Sequence, residues 1–364
     1  MKKILKILLI LIIIIQLLCA CSSNKNNNNT YSAAIGNVCF SAENANLCFA
    51  LSKNRSIVLE KDDVMTDLYD YSYSDDFYGM QNPYIYQDKL YYITSSSNNT
   101  MCIASIDVND IKQSDILTPE KDNISAFTVF ENTIYYYAYQ NGESAIYSFN
   151  LKTNKEKLIL STDDLLYNFF VSADCIIFGN AKYDLNKKQL DNLSTELNDK
   201  SIYGLGIIND IYYCGYKNID TLKEEIYSIN LKNNICTSIC ELPIGYNIAP
   251  RLYDNKILYV VTNESDSQYL LLGYYDLNTN EEKIAFDKTS DTYYYSKLHD
   301  YMDNYDSFYY DGNFYMWYPE TIVKIGNKNE EKIFGISSYN TDDGYIGHKE
   351  SWLTYEEYLN EMNI

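Results

Sequence analysis

Polar and apolar positions along this chain fall into a recurring phrase: a short polar turn, an aliphatic and aromatic run, a second turn and a further run. Residues 131–160, ENTIYYYAYQNGESAIYSFNLKTNKEKLIL, contain the clearest copy. With the preceding residues they divide into strands over 125–130, 133–139, 144–151 and 155–160, separated by turns at Glu131-Asn132, Asn141-Gly142 and Lys152-Thr153-Asn154. Asn-Gly predicts a tight hairpin, because a type I′ turn needs positive φ at both central residues. Asp311-Gly312 gives the same signal. Tyr135, Tyr136 and Tyr137 run together instead of alternating with polar residues, the pattern of a strand covered on both faces.

The phrase returns as GNVCF (36–40), QDKLYY (87–92), ENTIYYY (131–137), ADCIIF (173–178), NDIYY (209–213), DNKILYV (254–260) and DGNFYMW (311–317). Measured at Val38, Leu90, Ile134, Ile176, Ile211, Ile257 and Phe314, the steps are 52, 44, 42, 35, 46 and 57 residues. A second phrase keeps time with it: Asp107-Val108-Asn109, Asn150-Leu151-Lys152, Asp184-Leu185-Asn186, Asn230-Leu231-Lys232 and Asp276-Leu277-Asn278. Self-similarity at such a period marks a repeat fold. Four antiparallel strands per unit, repeated four to eight times, predict an all-β propeller, here of seven four-stranded blades over 33–364 with a short C-terminal segment after about 336. A β-solenoid has shorter coils, and tandem sandwiches would not hold one period over this length. Ring closure by strand exchange between the ends would involve residues 31–34 and the segment after 334.

The blades, with their IYY runs followed by Asn/Asp-Leu-Lys/Asn, resemble the propeller domain of unknown function found in bacterial lipoproteins and compared with the propellers of low-density-lipoprotein-receptor-related proteins. The resemblance spans roughly 33–336. It implies a propeller fold and no catalytic residue, and the receptors' Tyr-Trp-Thr-Asp tetrad is absent, so their ligands are not implied.

Ahead of the repeats stands MKKILKILLILIIIIQLLCACSS. Lysines before an apolar run form a secretory signal peptide over 1–20. The run is shorter than the ~20 residues a membrane-spanning helix needs. Leu18-Cys19-Ala20-Cys21 resembles the bacterial lipobox, which implies Cys21 as the lipidated first residue of the mature protein. The polar SSNKNNNNT that follows has nothing to bury, so 21–32 are expected to form a flexible tether, holding the protein on the outer face of the cell membrane.

Charge narrows the partners. The chain carries a net charge of −21, and residues 1–20 hold three lysines and no acids, which leaves the mature chain at −24. Nucleic acid is excluded as a partner, because its binding rests on Lys and Arg neutralising phosphates. Tyrosine is abundant, at 40 residues, and favours strands over helices. Apart from Cys21, the mature chain has seven cysteines, an odd number that cannot all pair internally. Cys39 and Cys48 flank a polar loop and are candidates for a cross-hairpin disulfide; the others read as buried apolar fillers.

No catalytic constellation emerges. The two histidines, His299 and His348, have no G-x-S-x-G serine to serve, and no phosphate-binding glycine loop or zinc spacing occurs. No cofactor and no metal site is therefore expected. Two insertions stretch the repeat, residues 64–84 and 287–313, both dense in tyrosine and aspartate. Insertions in repeat folds emerge as loops, often on the binding face. Tyr71, Tyr73, Tyr78, Tyr294, His299, Tyr301 and Tyr305 are the candidate ligand-binding residues; extra outer strands are the competing reading of these segments. The expectation is a non-enzymatic binding module for a protein, peptide or glycan of the cell envelope. A polysaccharide-active enzyme using paired carboxylates and an assembly scaffold are the alternatives.

Overall fold

A computed structural model describes the backbone between residues 33 and 335, apart from breaks of which the longest are 71–76, 243–249 and 290–305, and side chains within 86–284. The signal peptide, Cys21, the tether and the C-terminal segment lie outside the described residues. Among the described residues the chain is all-β except for a single 3₁₀ turn at Thr195–Leu197. Its strands form seven sheets, each built only from strands consecutive in sequence and each antiparallel throughout; six have four strands and the first has five.

The unit around the tyrosine run shows how sequence makes a sheet. Asn123–Phe130, Thr133–Gln140, Glu143–Asn150 and Lys155–Ser161 pair in order. Between the second and third strands Asn141 and Gly142 have φ of 54° and 88°, the two positive values that the Asn-Gly signal requires.

The second phrase is the turn between third and fourth strands. Asn150 Oδ1 accepts from the amides of Lys152 (3.1 Å) and Thr153 (2.9 Å). Asp184, Asn230 and Asp276 cap the same turn in later sheets. The leucine between reaches back to the first phrase: the amides of Leu151, Leu185, Leu231 and Leu277 donate to the carbonyls of Asn132, Asp174, Asp210 and Asn255. The two phrases keep time because they are hydrogen-bonded to each other.

Both faces of the second strand are buried against neighbouring sheets. Ile134 and Tyr136 pack on Tyr91, Ile93 and Ile103 of the preceding sheet. Tyr137 joins Ile176 and Tyr183 of the following one. The alternation continues: Cys175 and Ile177 pack with Tyr212 and Cys214, and Tyr213 packs with Ile257 and Tyr259. The first strands of successive sheets lie side by side, Lys256–Asn263 lies beside Asp306–Tyr310, and Asp306–Tyr310 lies beside Ala33–Ile35 of the first sheet. The sheets thus close on themselves, as in a β-propeller.

Three expectations are refined. The ladder pairs Thr133 with Asn150 and Ile211 with Asn230, so Ile134 corresponds to Tyr212 and not to Ile211. Ile134 and Tyr212 are both fully buried, whereas Ile211 is half-buried. Cys39 pairs with Ala50 and Cys48 with Ser41, which makes the two cysteines diagonal neighbours. Diagonal positions sit ~7–8 Å apart, beyond ordinary disulfide reach. Finally, the first insertion supplies an outer strand, Val64–Asp70, to the first sheet, and Phe77–Tyr86 opens the second. The first sheet takes all its strands from 33–70 and the last from 306–335, so no strand is exchanged between the ends among the described residues.

Candidate functional site

Tyrosine hydroxyls need partners when their rings are buried, and here several find carboxylates while Tyr183 and Tyr212 donate to backbone carbonyls. Tyr136, whose ring is fully buried, donates from its hydroxyl to Glu156 two strands away, and Tyr259 does the same to Glu282 at the equivalent place three sheets later. Lys121 Nζ lies 2.9 Å from the other oxygen of Glu156 and 4.1 Å above the Tyr147 ring. Tyr203 donates to the buried Glu224. Its ring lies flat on Gly215, where a Cβ would meet ring carbon Cζ at 2.3 Å, so only glycine fits beneath it. Lys200 bridges Glu225, at 3.0 Å, and Tyr227.

Electrostatics follows burial. Desolvation, reinforced by Glu156, pushes the Tyr136 hydroxyl well above its usual range. Burial raises the Glu224 carboxyl, and the Tyr203 hydrogen bond and Lys217 only partly offset it. Cys102 and Cys214 are buried with thiols pushed up to about 12 by desolvation, which makes them inert apolar filler, as their strand positions suggested.

A groove of about 680 Å³ opens between the third and fourth sheets, at the ring face that carries the Asn-Leu-Lys turns. Tyr135 and Glu156 line it from the third sheet, Tyr183 from the fourth. Lys155 and Lys157 enter from the outer strand Lys155–Ser161, and Lys188 from the facing turn. Glu156 is occupied by Tyr136 and Lys121, and nearby Asp184 by Lys187 at 3.3 Å. The groove therefore carries an excess of positive charge on a strongly acidic protein. Sequence reasoning missed it, because its residues come from two units and each lysine reads alone as a surface charge.

Of the tyrosines and histidine singled out in the sequence, Tyr78 lies in strand Phe77–Tyr86, paired with Ser95. Tyr71, Tyr73, Tyr294, His299, Tyr301 and Tyr305 lie outside the described residues, as does His348. Among the described residues no group of three His, Cys, Asp or Glu side chains is arranged to hold a metal ion, and no helix is long and apolar enough to cross a membrane.

Neither a family model nor a curated protein sequence matches the chain. Solved structures do. Puromycin hydrolase, in the S511A variant complexed with PGG, superposes with a TM-score of 0.54 at 8% identity over 84% of this chain and 51% of that one, so this chain spans about half its length. TolB from Acinetobacter baumannii (TM-score 0.43, 14% identity, 73% of this chain and 66% of that one) is also similar in shape. The β-propeller domain of the trilobed protease from Pyrococcus furiosus gives 0.48 at 11% identity, over 85% of this chain and 97% of that one. At these identities the likeness speaks to fold alone. The consecutive four-stranded antiparallel sheets, with first and last side by side, themselves give an all-β, propeller-type arrangement.

Proposed function

We propose that the chain is an exported lipoprotein, anchored through Cys21 on the extracytoplasmic face of the cell membrane, whose seven sheets are a complete set of propeller blades serving as a binding module for an envelope protein, peptide or glycan. One observation carries the reading. Both faces of the described central strands are committed to packing against neighbouring sheets, and the buried Glu224, the half-buried Glu156 and Glu225 and the exposed Glu282 are all held by tyrosine hydroxyls. Recognition then falls to grooves and connecting segments at the rim. The segment 290–305 is the longest connection between sheets: it follows Glu281–Thr289, the outer strand of the sixth, and precedes Asp306–Tyr310, the first strand of the seventh. Its tyrosines offer flat contact area with a hydrogen-bonding end.

The test uses residues 31–364 against envelope glycans and membrane-protein extract, with and without 287–313. A ligand lost on deletion is the expected result; binding indifferent to the deletion removes that segment from the site. In parallel, Cys21→Ala in the full chain should move the protein from the membrane to the soluble fraction. Retention on the membrane contradicts the anchor.

A further inference from the structure

The groove between the third and fourth sheets departs from the sibling units at Lys155 and Lys188, and Lys155 forms a pair with Lys157. Lys155 and Lys157 occupy the start of an outer strand. The ladder sets them equivalent to Gln189 and Asp191 in the fourth sheet and to Glu281 and Lys283 in the sixth. No other of these strands presents a lysine pair. Two residues apart on one strand, they point to the same side ~7 Å apart.

Lys188 is the second departure. It ends the turn capped by Asp184 with φ of 55°, a left-handed conformation that costs a lysine more than an asparagine. The equivalent residues Asn154, Asn234 and Asn280 have φ of 52°, 58° and 55°. Asparagine is the residue this turn favours, and the fourth sheet replaces it with one whose side chain lines the groove.

These lysines have no carboxylate partner among the described residues. The charged groups around them are Glu156, already paired with Lys121, Glu131, which lies near Tyr135, and Asp184, paired with Lys187. Half-buried Tyr135 and buried Tyr183 add aromatic wall, and Thr133, Ser148 and Thr153 add hydroxyls. The Tyr183 hydroxyl is taken, donating to the Ile159 carbonyl at 3.2 Å.

We infer that this groove binds a linear anionic glycan, with acid groups of successive sugars on Lys155, Lys157 and Lys188 and a sugar face against Tyr135. Spaced cations fit a chain with repeated acid groups better than a single small anion. A volume of about 680 Å³ lies within the range of small-molecule sites. This deepens the binding-module reading by naming a ligand class. The site lies on the opposite ring face from the end of Glu281–Thr289 and the start of Asp306–Tyr310, because four antiparallel strands return the chain to the face from which it started, and the Asn-Leu-Lys turns lie on the other. Failure of either site is therefore seen separately.

The test is calorimetric titration of residues 31–364 with an alginate hexasaccharide as the carboxylated glycan, dextran as the neutral glycan, and polyphosphate and polyglutamate as anions without sugar. Alginate is expected to bind, more weakly at higher salt, and dextran not to bind. The Lys155→Ala/Lys157→Ala double variant should lose about tenfold or more in affinity, as the loss of two charge-assisted contacts implies. Lys188→Asn, which installs the residue of the sibling turns, should keep or raise the melting temperature while also weakening binding. Lys223→Ala, which removes a lysine paired with Glu241 elsewhere, should change nothing. Absence of alginate binding, or full affinity in the Lys155/Lys157 and Lys188 variants, overturns the inference. Equal binding of polyphosphate or polyglutamate with the same lysine dependence also overturns it, by showing an anion or acidic-peptide site without sugar recognition.

Discussion

Ile134 and Ile211 look interchangeable in sequence, each following a polar turn and preceding tyrosines. One residue of register separates them. Ile134 is fully enclosed between two sheets, whereas Ile211 stands a position earlier on its ladder and Tyr212 takes the enclosed place. Ile134→Ala should cost about 2–5 kcal/mol, the range for emptying a closed core site. Ile211→Ala should cost clearly less. Equal losses in denaturant unfolding would contradict the ladder alignment. Glu224 gives a residue-scale test through pH. Burial raises its carboxyl above 4.5 in the folded state, so the fold holds this proton more tightly than the unfolded chain does. The contribution is present in full below the unfolded value and is lost as pH rises through the folded one. The stability of the native protein relative to Glu224→Gln should therefore fall as pH rises from 4.5 through the raised folded value. A difference that stays constant or grows would remove the raised carboxyl.

At the scale of the element, turns are the most legible part of the chain. Strand boundaries around 131–160 were legible because Asn141-Gly142 admits few conformations, and the periodic Asx-Leu phrase was visible because one side-chain oxygen must cap each third turn. What that phrase does was not legible: the leucine amide closes onto the first turn of the same sheet, a contact between positions 19 residues apart for Leu151 and Asn132. The register of Cys39 and Cys48 was equally hidden, since a hairpin loop drawn one residue longer or shorter changes every facing pair. The lysine groove escaped for a further reason, as it exists only where two sheets meet. Asn150→Ala tests the turn itself. It removes acceptors for the amides of Lys152 and Thr153 and should cost about 1 kcal/mol, as loss of a comparable cap does at a helix end. A neutral substitution in thermal unfolding would mean that the phrase recurs for another reason.

For the whole molecule, the repeat explains why both faces of the described central strands of the third, fourth and fifth sheets are apolar: each of these sheets is core for two neighbours. The proposed position on the envelope rests on the N-terminal sequence and not on the ring, so anchor and ring are tested by separate mutations. All of it depends on the first and last sheets lying side by side, Ala33–Ile35 against Asp306–Tyr310. Small-angle X-ray scattering of residues 31–364 measures that closure in solution. A closed ring of this length should give a radius of gyration of about 20 Å, the value for a compact chain of its size. Seven sheets stacked ~10 Å apart in an open arc would extend much further. A clearly larger radius, with a long tail in the distance distribution, would contradict the ring.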